Sequence, residues 1–90
     1  MICQVNMTVK NRGETSEIWF PFETDEVANL KELKDALIED GMVHGTRYAV
    51  QSAGNGAKQV VDRYEFILCN TEAVTAISDL TFILIDPEAN

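Results

Sequence analysis

Thr24-Asp-Glu-Val-Ala-Asn-Leu-Lys-Glu-Leu-Lys-Asp-Ala-Leu-Ile-Glu-Asp-Gly41 is the stretch of this sequence that reads most clearly as a helix. Val27, Leu30, Leu33, Leu37 and Ile38 recur at helical spacing and, at about 100° per residue, fall on one side of a cylinder. Thr24 suits the cap, Asp25 and Glu26 suit the positive first turn, and Gly41 suits the stop. The expectation is a helix over 25–40 with one apolar face, and the rest of the chain reads as the sheet beneath it.

On the N-terminal side, Cys3, Val5, Met7 and Val9 alternate with Gln4, Asn6 and Thr8, the pattern of a strand with one wet face. Asn11-Arg-Gly-Glu14 is a turn. A second strand over 15–22 puts Ile18, Phe20 and Phe22 on one face and Trp19 on the other, with Pro21 ending or edging it for want of an amide donor. On the C-terminal side, 42–45 reads as a connection. The next strand, 46–52, has Tyr48 and Val50 inward and Arg47, Ala49 and Gln51 outward. Asn55-Gly56 is a hairpin dipeptide leading into a strand over 60–69. Gly54, Gly56 and Lys58 do not make a phosphate loop, because a strand follows where a helix must open. Asn70 or Thr71 suits the cap of a short helix reaching about Asp79, with Val74 and Ile77 inward. Residues 81–86 are apolar on both faces and read as a central strand.

The expected fold is a single α+β domain over 1–90. It has a five-stranded mixed sheet, one long helix on one face and a short second helix, in the order ββαββαβ. That order resembles the β-grasp (ubiquitin-like) fold, in which the last strand pairs centrally. The chain ends Pro87-Glu-Ala-Asn90 rather than Gly-Gly, so conjugation and sulfur-carrier activity are not implied. The alternative is a ferredoxin-like sandwich with an added N-terminal strand.

The 90 residues suffice for one core, since a domain this size buries somewhat over ~60% of its unfolded surface and 46% of the residues are hydrophobic. The apolar runs are far below the ~18 residues of a membrane span, and nothing reads as a signal peptide, so a cytoplasmic protein is expected. The net charge of −8 disfavours direct binding to nucleic acid or an anionic membrane and favours a protein with a basic surface. Residues 14–40 carry most of that charge, with nine acidic residues against Lys31 and Lys34.

Two surfaces emerge as candidates. Asp25, Glu32, Asp35 and Glu39 fall within about 80° on the helix back and span about 21 Å, a coarse analogue of phosphate spacing. Glu39 and Asp40 lie at the negative helix end, a local rule broken without evident compensation. The second is the open sheet face with Trp19, Ile2, Ala49, Arg47 and one face of the last strand (Phe82 and Leu84, or Ile83 and Ile85), suited to a protein contact or a homodimer. The expected function is a non-enzymatic, acidic protein-binding module without a cofactor or metal. In its specific form it is a nucleic-acid mimic that inhibits a nucleic-acid-handling complex by filling its basic groove. Small acidic phage-encoded proteins, including many anti-CRISPR inhibitors, are similar in size and charge. A ubiquitin-like adaptor working through the sheet face is the second reading. The third is a small thiol enzyme using Cys69 or Cys3 with His44.

Overall fold

The computed structural model describes residues 1–69 and 73–88. The elements are β1 (Ile2–Asn11), β2 (Glu14–Glu23), α1 (Leu30–Glu39), β3 (Met42–Gly54), β4 (Ala57–Cys69), β5 (Val74–Ser78) and β6 (Ile83–Ile85). They form one six-stranded sheet in the order β5-β1-β2-β3-β4-β6. Only β6 on β4 is parallel; the other pairings are antiparallel.

Two hairpins dominate, and both were legible. Arg12 and Gly13 turn the first with φ of 53° and 83°; Asn55 and Gly56 turn the second with φ of 53° and 74°. Paired positive φ values match the right-handed twist of the flanking strands. Between the hairpins, β2 meets β3 at only two residue pairs, Phe22 with Arg47 and Glu23 with Thr46. The ladder stops beside Pro21, which has no amide to donate. At that junction an added Cβ on Gly45 would lie 2.2 Å from the Glu23 carbonyl oxygen. Residues 42–45 are thus the start of β3 rather than a connection, and Gly45 is what lets β2 approach.

Cys3, Val5, Phe20, Phe22, Leu33, Leu37, Val43 and Leu68 make the core on the helix side of the sheet. The opposite, far face carries Trp19 and Tyr48.

The β-grasp expectation is overturned, and so is the ferredoxin-like alternative. There are six strands and a single helix among the described residues. Residues 74–78, expected inside a second helix, are an edge strand on β1; the Asn70 or Thr71 cap lies outside the described residues. Val74 and Ile77 pack on the core as expected, but from a strand whose register shifts by a bulge, which brings an i, i+3 pair to one side. Nor is 81–86 central: only Ile83–Ile85 is strand, at the opposite edge. Its two-sided apolar pattern has another cause. Phe82 packs on Trp19, whereas Ile83 and Ile85 are exposed.

The link between the edges shapes the sheet. The five steps from Ser78 to Ile83 reach at most about 18 Å, whereas a flat six-stranded sheet measures about 24 Å across. The sheet therefore curls until its edges can be joined across the far face, where Phe82 touches β2. The short β2–β3 ladder is where the hairpins diverge to allow this.

The helix is also shorter than expected. It begins at Leu30, capped by Asn29, whose Oδ1 accepts from the Glu32 amide at 2.9 Å while its Nδ2 donates to Glu32 Oε2 at 3.1 Å. Thr24 serves elsewhere. Its hydroxyl donates to the His44 carbonyl and accepts from the Glu26 amide, and its backbone exchanges hydrogen bonds with Met1. Those bonds hold 24–26 against the sheet and out of the helix. Ile38, expected in the apolar stripe, is 73% exposed, because Leu33 and Leu37 already fill the contact with the sheet.

Candidate functional site: acidic surfaces and the far face

The shortened helix divides the acidic row. Glu32, Asp35 and Glu39 remain on α1, all exposed, and Asp40 is the C-cap residue. The part of the row on the helix spans about 10 Å, half of that expected. Glu32 is committed in part to the cap with Asn29. The last turn holds no basic residue, so Glu39 and Asp40 face the negative end of the dipole uncompensated within the helix.

Asp25 lies elsewhere. Together with Glu26, His44, Thr46, Glu65 and Ile67 it lines an open cleft of about 660 Å³ beside the start of β3. Glu26 Oε1 accepts from the His44 amide at 3.0 Å, so it also anchors the strand. Three carboxylates therefore border this cleft; Glu26 was read only as a first-turn helix residue, and Glu65 was not singled out. Strand pairing of Thr46 with Glu65 is what carries the latter there.

Trp19 and Arg47 are not brought together. Arg47 has the parity of Val43 and Gly45 and lies on the core side, its guanidinium 4.3 Å from the Phe20 ring centroid and 5.6 Å from that of Phe66. Tyr48 is buried as expected, 7% exposed, but on the far face rather than the helix side of the sheet. Its hydroxyl donates to Glu23 Oε1 at 2.7 Å, and its ring lies under the Arg63 guanidinium. Burial and the Glu23 carboxylate push the Tyr48 phenol up to about 12. Arg63 in turn makes a bidentate pair with Asp86 and a further contact to Glu88, which ties the end of β6 to β4.

Trp19 is on the far face as expected and is 41% exposed. Phe82 lies against it, ring centroids 5.6 Å apart and planes 60° apart. Lys58 reaches over both rings, its Nζ 5.4 Å from the Trp19 centroid and 5.7 Å from that of Phe82. Phe82 was expected on this face as part of the last strand, whereas Lys58 carried no signal for it; both are distant from Trp19 along the chain and converge only because the sheet curls.

The thiols separate clearly. Cys3 is fully buried on the core face, and burial raises its pKa to about 11, which suppresses the thiolate. His44 is exposed on the opposite face, so the sheet stands between them. Cys69 is exposed and is diagonal to His44 in the β3–β4 ladder, its Sγ 3.9 Å from the Ile67 carbonyl oxygen. Among the described residues, no three His, Cys, Asp or Glu side chains converge as metal ligands. No helix among them is long and apolar enough to cross a membrane. No protein-family model, curated protein or solved structure matches the chain.

Proposed function

We propose that this chain is a non-enzymatic, cytoplasmic binding module that engages a protein with a basic surface through its acidic side chains. The observation that carries this reading is the unequal use of charge. Of the seven cationic residues, Arg47 and Lys58 lie on aromatic rings and Arg63 is paired with Asp86 and Glu88. Asp25, Glu32, Asp35, Glu39, Asp40 and Glu65 all face solvent and outnumber the four exposed cations Lys10, Arg12, Lys31 and Lys34. In its specific form the proposal is mimicry of a nucleic acid: Glu32, Asp35, Glu39 and Asp40 occupy a basic groove built for phosphate and inhibit the complex that owns it.

The helix end supplies a test that separates binding from folding. Glu39→Lys and Asp40→Lys together should stabilise the protein by roughly 0.3–1 kcal/mol each, because cations favour the helix C-terminus. The same pair should weaken binding and flatten its salt dependence. A partner is first isolated by pull-down, and its affinity is measured at low and high ionic strength for the wild type and the double variant. A stable variant with undiminished affinity would sink the acidic-surface reading.

A further inference from the structure

The tilted Trp19 and Phe82 rings form a V that is open to solvent and already holds a cation. Lys58 Nζ lies within ~6 Å of both centroids, the range in which a ring face attracts positive charge. We propose that Trp19 and Phe82 are a two-walled receptor for a cationic side chain, lysine or its methylated forms, on a basic partner, and that Lys58 fills it while no partner is bound. The inference rests on the reading that the partner is cationic, but its test does not need that partner.

Three observations bear on it. The first is access. The comparable site at Arg47 is closed, with Phe20 2% exposed, whereas Trp19 is 41% exposed, so a second cation can reach the ring that Lys58 covers. The second is the field. Glu17 shares the face of Trp19 two residues along β2, and the whole chain carries −8, so the surroundings concentrate cations. The third is the nature of the occupant. A primary ammonium on a flexible stem is strongly hydrated and leaves readily. A quaternary ammonium is the cation that aromatic cages favour. Lys58 therefore acts as an internal competitor set by the end of the second hairpin.

Trp19 is the only tryptophan, so its fluorescence reports the site directly. The probe is choline chloride, with sodium chloride at equal ionic strength and the neutral isostere 3,3-dimethylbutan-1-ol as controls. Lys58→Ala should give a saturable change of Trp19 emission with choline and none with either control. The wild type should need roughly tenfold more choline, since Lys58 must be displaced. Lys58→Gln, which keeps most of the stem, should behave as Lys58→Ala, and adding Phe82→Ala to it should abolish the response while leaving Trp19 in place. Circular dichroism establishes that each variant is folded, and Lys58→Gln decides the matter if Lys58→Ala is not. A linear response, an equal response to the isostere, or equal choline affinity in wild type and Lys58 variants would overturn the proposal. Such a result would leave the helix-end test of the acidic surface standing.

Discussion

Gly45→Ala should damage the protein more than any other alanine of its size. The new Cβ would meet the Glu23 carbonyl oxygen at 2.2 Å and the Phe22 ring at 2.6 and 2.8 Å, against 3.4–4 Å for ordinary contact. The nearest atom is backbone, so no rotamer change relieves it. β2 must move off β3 by about 1 Å, and the ladder between them is only two residue pairs long. Overpacking of this kind costs ~1–3 kcal/mol, and each ladder hydrogen bond lost adds ~0.5–1.5 kcal/mol. A total of about 3–5 kcal/mol is a large share of the stability of a small domain. Urea melts followed by circular dichroism should show a midpoint lowered by about 3 M or more, with m near ~1 kcal/mol/M. Gly13→Ala is the control. Its φ is +83° and its Cβ meets nothing within 4 Å, so it should cost only the left-handed penalty of ~1–2 kcal/mol. Phe22→Leu in the Gly45→Ala background should not rescue stability, because the carbonyl clash persists. A Gly45→Ala variant no less stable than Gly13→Ala would refute the argument that close approach at this junction joins the hairpins.

Other outcomes are expected from the same structure. Leu33→Ala should cost ~2–5 kcal/mol by leaving a cavity, whereas Ile38→Ala should stay within about 0.5 kcal/mol in the same melts. Asn29→Ala should cost about 1 kcal/mol by removing the helix cap, and Thr24→Val should leave helix content by circular dichroism unchanged, since Thr24 caps nothing. An aromatic disulfide reagent at pH 8 should titrate Cys69 quickly and Cys3 only after denaturation. Stability should be intact with respect to Cys3 below its ordinary value of 9.0. It should fall as the pH climbs from there towards about 11, because the unfolded chain then releases a proton that the folded core retains. Cys3→Ala should remove that part of the alkaline slope in melts across the pH range; an unchanged slope would show the thiol is not the cause. Arg63→Gln should speed amide exchange at Ile83, whose amide donates to the Gly56 carbonyl at 3.1 Å, because the Asp86 tie holds β6 in place.

Local chemistry made both hairpins, the core faces of β1 and β2 and the apolar contact of α1 readable before any coordinates. Alternation, Arg-Gly and Asn-Gly turns, and the spacing of Leu33 and Leu37 act over a few residues, so the chain specifies them by itself. The Asn29–Glu32 cap was equally local and was hidden only by Thr24, an equally good cap residue five positions earlier. Hydrogen bonds of Thr24 with Met1 and with the His44 carbonyl decided between them, and no local pattern reports those. The C-terminal third depended on partners far away. Val74 and Ile77 suit a helix at i, i+3 and also suit a bulged strand, and the free ladder of β1 selected the strand. Residues 81–86 read as central because burial and aromatic contact look alike in a sequence. Only the curl of the sheet shows that Phe82 is covered by Trp19 and that Lys58 reaches them both. Net charge was likewise a property of composition, whereas its use was tertiary. Folding placed Arg47, Lys58 and Arg63 on rings and carboxylates, and left Asp25, Asp35, Glu39, Asp40 and Glu65 exposed alongside Lys31 and Lys34.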